Sequence, residues 1–250
     1  MTHQRDRAEL RVLTLNLWGV NESVEQRMPA LIDYLRAAPA DIVALQEVDS
    51  WGSASQADHV AEALGLRAHV IRSGPDGVGG EGLAVLSAVQ SDPVATVHLP
   101  SVDGDHARAL QVVDVRLPWG VVRVGNTHLT WPLDADQGRA QQARAIAEAL
   151  AGWDGPAVVL GDLNDVPRSP ALSVLEEAGF IDAFGAAAST DRATFDQANP
   201  YMWQHELAGR RVDHILARGL RPVAADVILT GEDAPIVSDH FGVRAILATR

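Results

Sequence analysis

The 250-residue chain contains no cysteine and no lysine. The first absence excludes disulfides, thiolate metal sites and a cysteine nucleophile, so any metal centre has to be built from oxygen and imidazole ligands. The second leaves arginine as the only permanently cationic side chain. All 20 basic residues are Arg, set against 33 Asp and Glu, for a net charge of −13. Extended nucleic-acid surfaces rely on clustered Lys and Arg to neutralise phosphates, and this balance disfavours one. A small phosphorylated substrate reached through a bound cation is compatible with it. Long apolar runs are also missing, so no membrane span is expected, and Met1 to Leu10 (MTHQRDRAEL) is too polar for a signal peptide. The expectation is a soluble, cytoplasmic monomer. No internal period, heptad or low-complexity tract divides the chain.

What is present suits one sizeable domain, with 47% hydrophobic residues. We place a polar segment at 1–9 and a single domain at 10–250. Arg11 to Leu17 alternates, with Leu13, Leu15 and Leu17 on one face and Val12, Thr14 and Asn16 on the other, as a strand requires. Met28, Leu31, Ile32 and Leu35 then recur at helical spacing, Asp41 to Glu47 reads as a buried strand, and Ala57, Val60, Ala61 and Leu64 as a short helix stopped by Gly65. Strands at 66–71 and 82–87 flank a glycine-rich loop, Ser73 to Glu81, which fits neither phosphate-binding fingerprint and reads as a connection. Pro93 to Leu129 is valine-rich with turn signals, which predicts antiparallel strands. Asp136 to Ala151 is an amphipathic helix, and Ser169-Pro170 starts another that Gly179 ends. Residues 185–204 read as a long loop, followed by strands at 210–217 and 240–247. Hairpins mixed with helix crossovers predict an α/β or α+β sandwich with more than one sheet.

Polar residues recur where apolar strands end: Asn16, Glu47, His128, Asp162 and Asn164, Asp213, then Asp239 and His240. The clearest case is Gly155 to Asp165, in which the run Ala157 to Leu160 drops into Gly161-Asp162-Leu163-Asn164. An Asx turn accounts for that stretch taken alone. Together the residues suggest one cleft beyond the carboxyl ends of the strands. Asn16, Glu47 and Asp239 offer hard oxygen ligands, which suit Mg²⁺ or Mn²⁺ better than Zn²⁺. Asp213 is a candidate to hold the His240 imidazole in one tautomer. Ser238 lacks a nucleophile-elbow context, so water is the expected nucleophile.

In this order the segments Thr14-Leu-Asn-Leu-Trp18, Gln46-Glu-Val48, Gly82-Leu-Ala-Val-Leu-Ser87, Asn126-Thr-His-Leu129, Gly161-Asp-Leu-Asn164, Arg211-Val-Asp-His-Ile215 and Ser238-Asp-His240 give a chain that resembles the metal-dependent endonuclease/exonuclease/phosphatase superfamily. The resemblance implies a four-layer α/β/β/α sandwich of the DNase I-like kind, with two mixed, mostly antiparallel sheets face to face and helices outside. It also implies phosphoester hydrolysis with Mg²⁺ or Mn²⁺. Carried over by position, Glu47 is the principal metal ligand, with Asn16 and Asp239 completing its sphere. Asp162 orients or deprotonates the water, Asn164 holds the phosphate or nucleophile, and His240 with Asp213 serves as general base or phosphate clamp. His128 contacts the scissile phosphate, with Glu81 as an acidic residue that could pair with it, and Arg108 and Asn126 are candidate phosphate contacts. A small or lipid-derived phosphodiester is the expected substrate, ahead of DNA or RNA and of a catalytically silent member that only binds a phospholigand or protein. Trp18, Trp131, Phe195, Tyr201 and Trp203 fall in or beside loops expected to rim the cleft, with Arg210, Arg211 and Arg218 as a possible basic stripe.

Overall fold

The computed structural model describes residues 9–74, 79–186, 192–202, 209–232 and 234–249. Most of the expected N-terminal segment, part of the 185–204 loop and Trp203 lie outside these residues. In chain order the elements are β1 (Glu9–Asn16), α1 (Val24–Ala37), β2 (Ile42–Val48), β3 (Ser50–Trp51), β4 (Ala54–Ser55), α2 (Gln56–Leu64), β5 (Arg67–Arg72), β6 (Gly82–Ser87), β7 (Ser91–His98), β8 (Ala109–Leu117) and β9 (Gly120–His128). They continue with α3 (Asp136–Ala151), β10 (Ala157–Asp162), α4 (Pro170–Glu177), β11 (Ile181–Asp182), α5 (Ala183–Ala186), β12 (Asp213–Arg218), β13 (Leu220–Ile228) and β14 (Gly242–Thr249).

Two six-stranded sheets form, ordered β13-β14-β1-β2-β6-β5 and β11-β12-β10-β9-β8-β7. Among the described residues the only parallel pair in each is central, β1 with β2 and β9 with β10, and the remaining pairs are antiparallel. A parallel pair needs a crossover, and α1 and α3 supply one each. The period-2 pattern of β1 sorts its side chains as expected. Val12 joins Ile42, Ala44, Val124, Val158, Leu160 and Ile215 in the core between the sheets. Leu13, Leu15 and Leu17 instead pack with Met28, Leu31 and Leu35 of α1 and with α2. On the far side α3 and α4 cover the second sheet through Ala143, Ile146, Leu150, Leu172 and Leu175. The result is a four-layer helix, sheet, sheet, helix sandwich. Helix starts follow local chemistry: Ser55 and Asp58 form a reciprocal capping box on α2, and Ser169 accepts from the Leu172 N–H ahead of Pro170 on α4.

Toward the carboxyl ends of the parallel strands the inter-sheet core turns polar. Gln46 donates to Asn126 Oδ1 at 2.7 Å and to Thr14 Oγ1 at 3.1 Å. Asn126 Nδ2 donates to the carbonyls of Leu45 and Ala84 and to Gln111 Oε1. Asn126 therefore lies fully buried between the sheets, below the cleft, with both its amide oxygen and its amide nitrogen hydrogen-bonded. Expected as a phosphate contact, it shares a strand face with His128 but sits one pleat deeper, joining the sheets and not lining the cleft.

One nine-residue strand, β13, carries no clear alternation and was not expected from the sequence. It is an edge strand whose register shifts between Pro222 and Ala224, and proline within a strand is tolerated at such edges and bulges.

Candidate active site

Directly above the polar layer, strand ends from both sheets converge. β1 delivers Asn16, β9 delivers His128, β10 delivers Asp162 and β12 begins with Asp213. Gly161 is required for this: a Cβ there would lie 1.9 Å from the Thr127 carbonyl oxygen, and its φ of 144° disfavours any side chain. Glu47 and Asn164 both adopt φ of 49°, an uncommon conformation for residues other than glycine, which turns their side chains at the strand ends.

Asp162 is the hub. Its Oδ2 accepts from Asn16 Nδ2 at 3.1 Å and lies 3.4 Å from His128 Nε2 and 3.7 Å from His240 Nε2. Its Oδ1 accepts the Asn164 backbone N–H at 2.9 Å. Burial opposes ionisation, but the two imidazoles and the Asn16 and Asn164 hydrogen bonds hold this carboxyl below its ordinary value. His240 is fixed from behind, Nδ1 to Asp213 Oδ2 at 2.9 Å, and packs against the Phe195 ring at 4.9 Å. Burial disfavours its charged form, yet Asp213 and Asp162 raise it well above the usual histidine range.

His128 is held on its other nitrogen by Glu81, which also receives Arg108 at 2.6 Å. Arg108 is itself gripped by both oxygens of Asp105, at 3.0 Å each. Burial and Arg108 disfavour the His128 imidazolium, but Glu81 and Asp162 outweigh them and raise it. The pairing of Glu81 with His128, which the loop left open in the sequence, is thus formed. Arg108, expected as a phosphate contact, borders the cleft, and its three named contacts are all to carboxylates, so it also supports Glu81. Asn164 Nδ2 donates to the Leu129 carbonyl at 3.0 Å and meets His128 Nε2 at 2.8 Å.

Asn16 bridges the two sides of the site. Its Oδ1 accepts the Trp18 N–H at 2.9 Å, which leaves Nδ2 to donate to Glu47 Oε1 at 2.9 Å as well as to Asp162. Reversing the amide would set its oxygen against two carboxylates, so Asn16 stands here as a donor between Glu47 and Asp162.

Glu47, Glu81, His128, Asp162, Asn164, Asp239 and His240 line one cavity of about 690 Å³, together with Trp18, Trp131, Leu133 and Phe195. Tyr201 reaches the same wall through Trp18, with ring centroids 5.6 Å apart. Of the suggested basic stripe, Arg210 lines the cavity, Arg211 pairs with Asp182, and Arg218 turns to the carbonyls of Leu150 and Trp153. Sequence reasoning missed Arg27, which is almost fully buried and donates to the carbonyls of Leu17, Gly19, Asn21, Glu22 and Val237, tying the loop after β1 to the segment before Asp239. An arginine beside Met28 in a helical pattern reads as a surface charge, and no local signal marks it otherwise.

A four-layer sandwich with carboxylate, imidazole and amide groups gathered where strands of both sheets meet at one end defines a DNase I-like fold. The family model of the Endonuclease/Exonuclease/phosphatase family matches residues 13–240, and the chain belongs to that family. It is 28% identical over 247 residues to a Drosophila melanogaster protein provisionally named a neutral sphingomyelinase, covering 88% of this chain and 54% of the relative. The chain thus spans about half the length of that curated relative. Among solved structures, a family protein from Leptotrichia buccalis C-1013-b superposes with a TM-score of 0.76 at 20% identity, covering 94% of this chain and 98% of the other. One from Beutenbergia cavernae DSM 12333 superposes with a TM-score of 0.74 at 26% identity, covering 97% of this chain and 72% of the other.

The superfamily generally depends on a divalent metal, and the residues here fit one. Burial, reinforced by Glu47 and Asp162 and opposed by His240, pushes the Asp239 carboxyl up to about 6. Glu47 and Asp239 line the same cavity as Asp162, and hard carboxylate oxygens gathered in this way suit a divalent cation. Glu81 and His128 stand close enough to Glu47 to share an ion, as do Asp162, Asp213 and His240 with one another. However, Glu81 is committed to Arg108 and His128, and Asp213 to His240. Glu47 and Asp239 each take one side-chain hydrogen bond, from Asn16 and from Ser238. No helix among the described residues is long and apolar enough to cross a membrane.

Proposed function

We propose that this chain is a divalent-metal-dependent phosphodiesterase that hydrolyses a small or lipid-derived phosphodiester with an activated water and no covalent intermediate. The observation that carries the reading is Asp162, a buried carboxylate surrounded by His128, His240, Asn16 and Asn164 at the floor of the cleft.

Glu47 and Asp239 are the residues that would hold Mg²⁺ or Mn²⁺, with Asn16 fixing the orientation of Glu47. When bound, such an ion supplies positive charge to a non-bridging phosphate oxygen and lowers the pKa of nearby water. Asp162, oriented by Asn16 and the Asn164 N–H, accepts a hydrogen bond from the attacking water and aims it in line. The water oxygen bonds to phosphorus as the ester P–O bond opposite it breaks; the water proton passes to Asp162 and on to solvent, and the departing oxygen takes its proton from solvent on the far face. His240, with Nδ1 held by Asp213, presents Nε2 to the phosphate. Asn164 Nδ2 and His128 Nε2 face each other at 2.8 Å, so a phosphate oxygen would take the Asn164 N–H in place of His128. Charge that builds on phosphorus thereby meets donors already positioned by their supports.

The net charge of −13 favours a small substrate over a nucleic acid. Likeness to the provisionally named sphingomyelinase supports a lipid-derived one. The test is a Mg²⁺/Mn²⁺ hydrolysis panel of bis-aryl phosphodiester, phosphomonoester, abasic duplex, single-stranded RNA, sphingomyelin and inositol phosphates. Asp162→Asn and His240→Ala serve as controls. We expect diester hydrolysis that both substitutions abolish. Activity that survives Asp162→Asn overturns the mechanism, and preference for abasic duplex or RNA overturns the substrate.

A further inference from the structure

The loop 129–135 joins β9 to α3 and leads away from His128. It displays Trp131 and Leu133, 45% and 51% exposed, into the wall of the catalytic cavity. Isolated exposed apolar residues are ordinary. These two differ because the loop that presents them is held by buried polar groups. Arg139 of α3, 3% exposed, donates to the carbonyls of Thr130, Pro132 and Leu133 at 3.3, 2.7 and 3.3 Å. Gln142, one turn on, accepts the Thr130 N–H and donates to the Pro100 carbonyl, both at 3.0 Å. The Leu129 carbonyl is bound by Asn164 itself. The backbone on both sides of Trp131 is therefore fixed, and both side chains are kept half in water although an apolar core of Leu129, Ala143 and Ile146 lies beneath the same segment. Retaining apolar area in water forfeits its burial energy, and at the mouth of a catalytic cleft this arrangement suits a substrate group that covers it.

We propose that Trp131 and Leu133 form a specificity wall that binds the apolar ester substituent, alkyl or aryl, of the phosphodiester attacked beside Asp162. The proposal rests on the phosphodiesterase reading above and narrows its substrate to esters with a hydrocarbon portion next to the phosphate. The link to Asn164 through Leu129 fixes the distance between the wall and the phosphate position, so the first few carbons of the substituent should matter most.

The experiment is calorimetric binding of methyl-, butyl- and octylphosphonate to the full chain with Mn²⁺. Wild-type affinity should rise about 2-fold per methylene over the first carbons, half of what complete burial gives. In Trp131→Ser with Leu133→Ser, the octyl-to-methyl affinity ratio should fall toward 1. Val94→Ser, at an exposed valine of β7, should keep the wild-type ratio and controls for general loss of surface hydrophobicity. Both half-exposed positions tolerate serine, and circular dichroism verifies folding. Equal affinities for the three phosphonates, or a slope that survives the double substitution, overturn the wall and leave the phosphodiesterase reading standing. Octylphosphonate binding without methylphosphonate binding supports the wall and removes the phosphate site. Binding of none of them overturns both.

Discussion

The units β1-α1-β2 and β9-α3-β10 occupy equivalent places in their sheets, each the parallel pair at the centre with antiparallel neighbours on both sides. Each crossover helix also sends a buried arginine back to the carbonyls of the loop after its first strand. Arg27 donates to five backbone carbonyls, and Arg139 to three carbonyls and to Asp136, with Asp165 at 3.4 Å. Near the end of the second strand each unit has a residue at φ of 49°, Glu47 in the last two residues of β2 and Asn164 two residues past β10. What differs is the chemistry mounted on this common frame. The first unit ends in an amide and a carboxylate, Asn16 and Glu47; the second ends in imidazole, carboxylate and amide, His128, Asp162 and Asn164. The comparison separates scaffold from function: the arginine-fixed loops and strained ends recur, while the groups they carry divide into a proposed cation side and a proposed phosphate and water side.

That division is most exposed to Glu47→Gln and Asp162→Asn. Each should lower kcat by about a hundred- to ten-thousand-fold, but only Glu47→Gln should weaken Mn²⁺ binding tenfold or more by calorimetry. Equal losses of ion affinity would erase the distinction. The next effect tests an asymmetry. At the step where the first unit pairs Leu15 with Leu45, the second pairs Thr127 with Gly161. Gly161→Ala should cost at least about 3 kcal/mol in denaturant unfolding, because of the overlap with Thr127 and the strained backbone, and a loss below 1 kcal/mol would show that β10 has slack. The two arginines separate by their partners. Arg139→Met should cost about 3 kcal/mol, and adding Asp165→Asn should recover part of it, since an unpaired buried carboxylate is removed. Asp165→Asn should not rescue Arg27→Met. The smallest effect concerns the edge of the second sheet, where Asp182 pairs with Arg211 and His214. Burial opposes its charge, but those two partners lower its pKa from 3.8 to about 2. A depressed carboxyl stabilises the fold above its unfolded pKa and loses that contribution as pH falls. Asp182→Asn should therefore cost about 2 kcal/mol at neutral pH, and its stability should decline less than that of the wild type between pH 4 and pH 2.

The frame was largely readable from residue order. Leu13, Leu15 and Leu17 against Val12, Thr14 and Asn16 fixed which side of β1 faces the helices, and Ser169-Pro170 fixed the start of α4. Asn16, Glu47, His128 and Asp162 lie at strand ends as expected, because strand ends are local, whereas Asp213 opens β12 and Asp239 and His240 precede β14. Contacts made over long sequence distances were not readable. Arg27 reaches Val237 and Gln46 reaches Asn126, and nothing within ten residues of either signals a buried partner. The orientation of the Asn16 amide depends on a neighbouring backbone N–H, and the occupation of Arg108 depends on Asp105 and Glu81. Residue type announces a polar site, whereas the donor or acceptor role of each residue is decided by the fold around it.

The amide layer beneath the site has a mechanical consequence. Two sheets joined only through Val, Ile, Leu and Ala side chains could slide along the strand direction at little cost, since apolar contact has no preferred direction. Gln46, Asn126, Gln111 and Thr14 act as a key in a slot. A slip of one residue displaces the sheets by about 3.3 Å, enough to break every hydrogen bond across that layer. The spacing between the Glu47 end of one sheet and the Asp162 end of the other is therefore set by amides that never meet the substrate.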